Sequence, residues 1–111
     1  MAKRVFIVTD KIGRDNEELG GILMKNFLYS LARNVEKPKA VVFMNEGVRL
    51  VCNRSTSLDD LKLLEENGVV IKACGTCLDF LGLKDELAVG SAGTMSESVA
   101  ALIADDVLTI G

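Results

Sequence analysis

Short, unbroken apolar runs alternate along this chain with longer stretches in which apolar residues recur at helical spacing. Arg4 to Thr9, Lys39 to Met44, Val69 to Ala73 and Val107 to Ile110 are of the first kind: rich in Val, Ile and Phe and bounded by polar residues, each reads as a strand buried on both faces. Between the first two, Leu19, Ile22, Leu23, Phe27 and Leu31 mark one face of a helix, with Glu17 and Glu18 where carboxylates favour a helix N-terminus. Gly20-Gly21 interrupts that helix, and close packing against the sheet is the expected reason. A second helix carries Leu58, Leu61 and Leu64 inward, opens with Ser57 and Asp60 at capping-box spacing, and stops at Gly68. Another begins near Thr94 to Glu97, again at cap spacing, with Val99, Leu102 and Ile103 expected inward. Val48 to Val51 fits either a short helix or a strand, and Leu87-Ala88-Val89 could form a short edge strand.

Strands that alternate with helices predict an α/β fold: a three-layer arrangement with a mostly parallel sheet of about five strands, helices on both faces and right-handed crossovers. Ligands and reactive groups in such a sheet gather beyond the carboxyl ends of the strands, at a topological switch point. Asp10, Asn45-Glu46-Gly47 and Cys74 all fall on that edge.

The chain has 111 residues, about half of them apolar and only one a proline, which suits a single compact domain over residues 1–111. Its net charge of -3 arises from scattered acidic and basic residues, so no basic stripe is present to follow a nucleic-acid backbone. The apolar run after Lys3-Arg4 is too short for a signal peptide and no stretch is long enough to span a membrane. A cytoplasmic location is expected, where three cysteines read as free thiols, a metal site or a catalytic pair.

The chemistry concentrates in Cys74-Gly75-Thr76-Cys77, which follows the third strand and leads into Leu78-Asp79-Phe80-Leu81. A cysteine at a strand-to-helix junction meets unpaired first-turn N–H groups and the positive end of the helix dipole, both of which favour a thiolate. Backbone N–H groups of Gly75 and Thr76 can stabilise that anion, and the Thr76 hydroxyl can donate to it. No histidine is present to act as a base. Cys77, three residues on, lies on nearly the same helix face. Asp79 would oppose a thiolate and is therefore expected to face solvent.

Thr9-Asp10 with Gly13 and Glu17-Glu18-Leu19-Gly20, then Asn45-Glu46-Gly47-Val48, then Ala73 to Asp79 together resemble the DsrE/DsrF-like sulfur-relay family, and within it the YedF-like subgroup of selenium metabolism. The likeness runs from about Val5 to Ile110 and its last block is the most specific. The resemblance implies a flavodoxin-like arrangement and a cysteine after the third strand, here Cys74, that carries sulfur or selenium as a persulfide, with Gly82 at the family's spacing. Cys77 matches the subgroup rather than the wider pattern. A sulfur-carrier domain usual ahead of the YedF-like one is missing, so the chain is either a stand-alone version or a fragment. The resemblance also implies a protein sulfur donor and acceptor, no cofactor, and a homo-oligomer, trimeric or hexameric, with the cysteine near a subunit boundary. Cys74 and Cys77 are then the catalytic pair, and Gly75, Thr76, Asp10 and Asn45 the substrate-binding residues.

Other readings stay open at this point. Cysteines are often simply small buried hydrophobes, a description that suits Cys52 after Leu50-Val51 better than the pair. A metal site would need Cys74, Cys77, Cys52 and a fourth ligand such as Asp79, but zinc sites are commonly built from two paired motifs. A thioredoxin-like reductase would carry its pair early with a proline opposite, whereas Pro38 precedes this pair. Gly13 to Gly21 lacks the lysine and hydroxyl residue of a phosphate loop. Met24 and Tyr29 suit core or interface, and Arg49 and Lys25 can steer an anion or remain solvated. A non-catalytic binding module using the same crevice is the competing class.

Overall fold

The computed structural model describes residues 3–104 and 106–111. Five strands, β1 (Arg4–Ile7), β2 (Ala40–Phe43), β3 (Val70–Cys74), β4 (Ser91–Gly93) and β5 (Val107–Ile110), form one parallel sheet in the order β4-β3-β2-β1-β5. Four α-helices connect them: α1 (Glu17–Arg33), α2 (Leu58–Glu66), α3 (Gly75–Phe80) and α4 (Met95–Ala104). The expected architecture, a five-stranded parallel sheet between helical layers, is the one observed.

Side chains alternate across the sheet, so each register row belongs to one face. Val5, Val41 and Ile71 align, as do Ile7, Phe43 and Ala73, and these rows are buried against Met24, Leu28 and Ala32 of α1 and Leu61 and Leu64 of α2. The other face carries Ala40, Val42, Val70 and Lys72, which line a small cavity with Ser98 and Ala101 of α4. The chain steps from β1 to β4 in one direction along the sheet and then crosses to β5 at the far edge. A right-handed crossover in the reversed direction must use the opposite face, which is why α4 lies alone there.

Several local expectations change. Within α1 the buried positions are Gly20, Met24, Leu28 and Ala32, whereas Leu19, Ile22 and Leu23 are about half exposed. The helix is present, turned from the face its largest apolar residues suggested. Gly20 explains the turn: a side chain there would come within 2.8 Å of the Ile12 carbonyl, so the close approach is to the loop after β1 and not to the sheet. Met24 is core, while Tyr29 is exposed with the Arg33 guanidinium 3.7 Å above its ring.

Ser57 precedes α2 without capping it by its side chain, and Asp60 serves another purpose. Its buried carboxylate pairs with Arg33 at 2.8 Å and Lys25 at 3.2 Å, tying α2 to α1. Thr94 and Glu97 do form the expected capping box, the Thr94 N–H donating to Glu97 Oε1 at 2.8 Å and the Glu97 N–H to Thr94 Oγ1 at 3.1 Å. On α4 only Ser98 is fully buried. Val99 and Ile103, expected inward, are exposed, and Leu102 is half-buried. Val48 to Val51 belongs to a 3-10 segment, Asn45–Val51. Leu87 to Val89 is not the edge strand: Leu87 makes a single antiparallel bridge to Cys52, and the edge is β4.

Candidate functional site

Cys74 ends β3 and is also the N-cap of α3, so the strand delivers its sulfur straight to the start of a helix. An N-cap side chain accepts from an N–H two or three residues into the helix. Here the Cys77 N–H donates to Cys74 Sγ at 3.4 Å. The donor is therefore Cys77 and not Gly75 or Thr76, as the sequence suggested. Gly75 keeps α3 close to the neighbouring strand, since a side chain on it would lie 3.3 Å from the Gly93 carbonyl. Gly93 is paired with Cys74 in the sheet. β3 leads into α3 and β4 leads into α4 on the other face, so Cys74 stands at the topological switch point.

The two sulfurs differ in access. Cys74 is 5% exposed, whereas Cys77 is half-buried and lines a cavity of about 470 Å³ together with Val8, Met44, Asn45, Glu46, Thr76, Phe80 and Leu81. Most of that lining is apolar, and Phe80 stands 88% exposed at it. Asn45 reaches the site through its backbone: its N–H donates to Cys77 Sγ at 3.2 Å. That orientation goes with a φ of 53°, a left-handed conformation more accessible to asparagine than to most residues. Gly47, two residues on, lets the 3-10 segment press against the end of β1, where a side chain would come within 2.5 Å of the Ile7 carbonyl.

Burial pushes the Cys77 thiol pKa up, a hydrogen bond to Cys74 and the charge of a Cys74 thiolate push it further, and the Asn45 N–H works in the opposite direction. Asp79 is exposed, on the solvent side as expected. Thr76 lines the cavity without a hydrogen bond to either sulfur among the described residues.

The structure thus brings Cys74, Gly75, Thr76, Cys77 and Asn45 together and leaves Asp10 elsewhere. Asp10 pairs with Lys11 at 3.2 Å and lines a separate cleft with Lys25, Arg49 and Cys52. The Cys52 thiol is buried, donates to the Val48 carbonyl at 3.2 Å and has its pKa raised by burial. Among the described residues no group of three His, Cys, Asp or Glu side chains could hold a metal ion. Sequence reasoning missed Val8, Met44, Phe80 and Leu81 as cavity residues. The first two follow strand ends and the last two complete the helix after Cys74, so their position on the carboxyl edge was the available signal.

A model of the DsrE/DsrF-like family matches residues 5–110. Among solved structures, the YchN protein from E. coli is similar at a TM-score of 0.70 and 22% identity, over 99% of this chain and 100% of that one. MTH1491, a protein of unknown function from Methanobacterium thermoautotrophicum, is similar at 0.64 and 22% identity, over 98% of this chain and 99% of that one. BT1422 from Bacteroides thetaiotaomicron, also of unknown function, is similar at 0.65 and 18% identity, over 97% of this chain and 94% of that one. At these identities the likeness shows the fold. No curated protein matches the chain. No helix among the described residues is long and apolar enough to cross a membrane.

Proposed function

The chain belongs to the DsrE/DsrF-like family, and from that premise we propose that it accepts and passes on persulfide sulfur at Cys74, with Cys77 as the assisting thiol. The observation that carries this reading is the junction of the two cysteines: one enclosed sulfur caps a helix at the switch point, and the other, bonded to it through its N–H, faces a cavity. A Cys74 thiolate attacks the outer sulfur of a donor persulfide. A new S–S bond forms as the donor's bond breaks, the electron pair leaves on the donor sulfur, and no oxidant is required. Delivery repeats the displacement, with an acceptor thiolate attacking the outer sulfur on Cys74. Cys77 can instead attack the inner sulfur, releasing hydrosulfide and leaving a Cys74–Cys77 disulfide.

The apolar lining and exposed Phe80 suit a protein donor and acceptor whose persulfide-bearing segment enters the cavity. Cys77 fits the YedF-like subgroup, which extends the proposal to selenium. Self-association into a trimer or hexamer is part of the same reading, supported by the apolar residues that α1 and α4 leave exposed.

The test is intact mass, with and without reductant, after incubation with a cysteine desulfurase and free cysteine. Wild type gains one reductant-labile sulfur, Cys77→Ser retains the gain and Cys74→Ser loses it; normal uptake by Cys74→Ser would sink the assignment. A second reading, a binding module for an apolar protein segment, is favoured by the enclosure of Cys74. It predicts capture of a partner with no sulfur gained by any form.

A further inference from the structure

The larger cleft is separate from Cys74 and Cys77 and differs from the Cys77 cavity in chemistry. It has a volume of about 610 Å³, within the range of roughly 300–1,000 Å³ typical of small-molecule sites. Its walls carry Lys11, Lys25, Arg49 and Arg54, with Ser55, Thr56 and Ser57 leading into the N-terminus of α2. Two carboxylates, Asp10 and Glu86, also line it.

Ser57 is the most telling residue. It is 1% exposed, yet its hydroxyl makes no cap bond to the helix it precedes. Ser57 lines the cleft, and no hydrogen bond to another described residue occupies its hydroxyl. Beside it, the first-turn N–H groups of α2 have no helical partners. The Asp60 carboxylate in that turn is already matched by Lys25 and Arg33.

The cations are not equally engaged. Lys11 is paired with Asp10, Lys25 with Asp60 and Arg49 with Glu46, while Arg54 makes no ion pair among the described residues. Arg54 is also held at φ 79°, a conformation costly for a residue with a side chain. The Arg49 and Lys11 pairs are partly open to solvent, which weakens them, so a doubly charged ligand competes for both cations.

We propose that this cleft binds a small organic phosphate of about nucleotide size. Its phosphate would rest among Arg54, the Ser57 hydroxyl and the α2 N-terminus, a combination suited to phosphate oxygens. Asp10 and Glu86 are acceptors for the hydroxyl or amino groups that an organic ester carries and inorganic phosphate lacks. The site stands independently of the sulfur reading, because none of the residues assigned to the phosphate contacts Cys74 or Cys77.

The experiment is an NMR titration of the isotopically labelled full chain at low salt with ADP, inorganic phosphate and sulfate. ADP is expected to shift the amides of Asn53 to Ser57 saturably. Its affinity should fall about tenfold in Arg54→Ala and severalfold in Ser57→Ala, and should weaken with added salt. Arg54 is exposed, so that variant keeps the fold even if Ser57→Ala does not, and its unliganded spectrum checks this. No saturable shift with ADP, unchanged affinity in Arg54→Ala, or equal affinity for sulfate and ADP, meaning an adventitious ion only, would each overturn the proposal.

Discussion

Helices α1 and α4 cover opposite faces of the same sheet and do so in opposite ways. α1 presents Gly20, Met24, Leu28 and Ala32, four residues apart, and all four are buried. α4 is capped by a complete reciprocal box, yet of its side chains only Ser98 is buried, and Met95, Val99 and Ile103 form an exposed stripe at the same four-residue spacing. α1 is therefore held mainly by packing and α4 more by its local signals. The lesson is that apolar periodicity announces a helix but does not say whether its apolar side meets this chain's own sheet or something outside it.

The largest effect should come from breaking the packed side. Leu28 is fully enclosed against the sheet, and Leu28→Ala should cost about 2–5 kcal/mol, the range for emptying a leucine site in a core that relaxes incompletely. Urea unfolding measures it. A cost below about 1 kcal/mol, the order of a single helix cap, would mean that α1 is held no more firmly than α4. Next comes the ionic tie between α1 and α2. Asp60→Ala removes a buried carboxylate from two cations, but Lys25 and Arg33 are each more than two-fifths exposed and can return to water. About 1.5–3 kcal/mol is expected, the usual scale for hydrogen bonds to charged groups.

The same contrast marks how far the sequence could be read. Four of the five strands, their parallel arrangement and the strand-to-helix junction at Cys74 were legible, because buried parallel strands are continuous apolar runs and cap residues act locally, whereas β4, the short Ser91–Gly93 edge, carries no such run. The inward faces of α1 and α4 were not, because both helices carry more apolar residues than the sheet can bury. Asp60 was read as a cap because Ser57-to-Asp60 spacing has that local meaning, while its real partners lie on α1, a contact invisible in linear spacing. The cysteine site divides similarly. Cys74 and Cys77 stand out by spacing, but which of them faces a cavity, and which backbone N–H meets each sulfur, depends on how the 3-10 segment Asn45–Val51 packs beside α3.

A smaller effect is expected at the start of α4. Thr94→Ala should cost about 1 kcal/mol, the typical loss for an N-cap hydroxyl, in a helix with little packing to compensate. pH reads the other half of the box. The Thr94 N–H and hydroxyl hold the Glu97 carboxyl below its usual pKa, with Lys72 adding to the shift. A carboxylate whose pKa is lower folded than unfolded binds fewer protons when native, so its stabilisation is present above the unfolded value and lost as pH falls through the folded one. Stability of wild type relative to Glu97→Gln should shrink on acidification through that window; a difference constant from neutral to acid pH would show that the box is not ionised.

The smallest effect on folding, and the sharpest separation of the two helices, should come from Ile103→Glu. Ile103 is 81% exposed, and a surface substitution of this kind ordinarily stays within about 0.5 kcal/mol. Under the proposed self-association the same change places a charge in an apolar contact between copies, where it has no partner and loses its water. Sedimentation should then show a smaller species than wild type while the unfolding midpoint of the separated chain barely moves. If Ile103→Glu instead lowers stability as much as Leu28→Ala, the α4 stripe is part of this chain's own core. If it changes neither stability nor size, α4 is not the surface through which copies meet, and the exposed Leu19, Ile22 and Leu23 of α1 become the stripe to charge next.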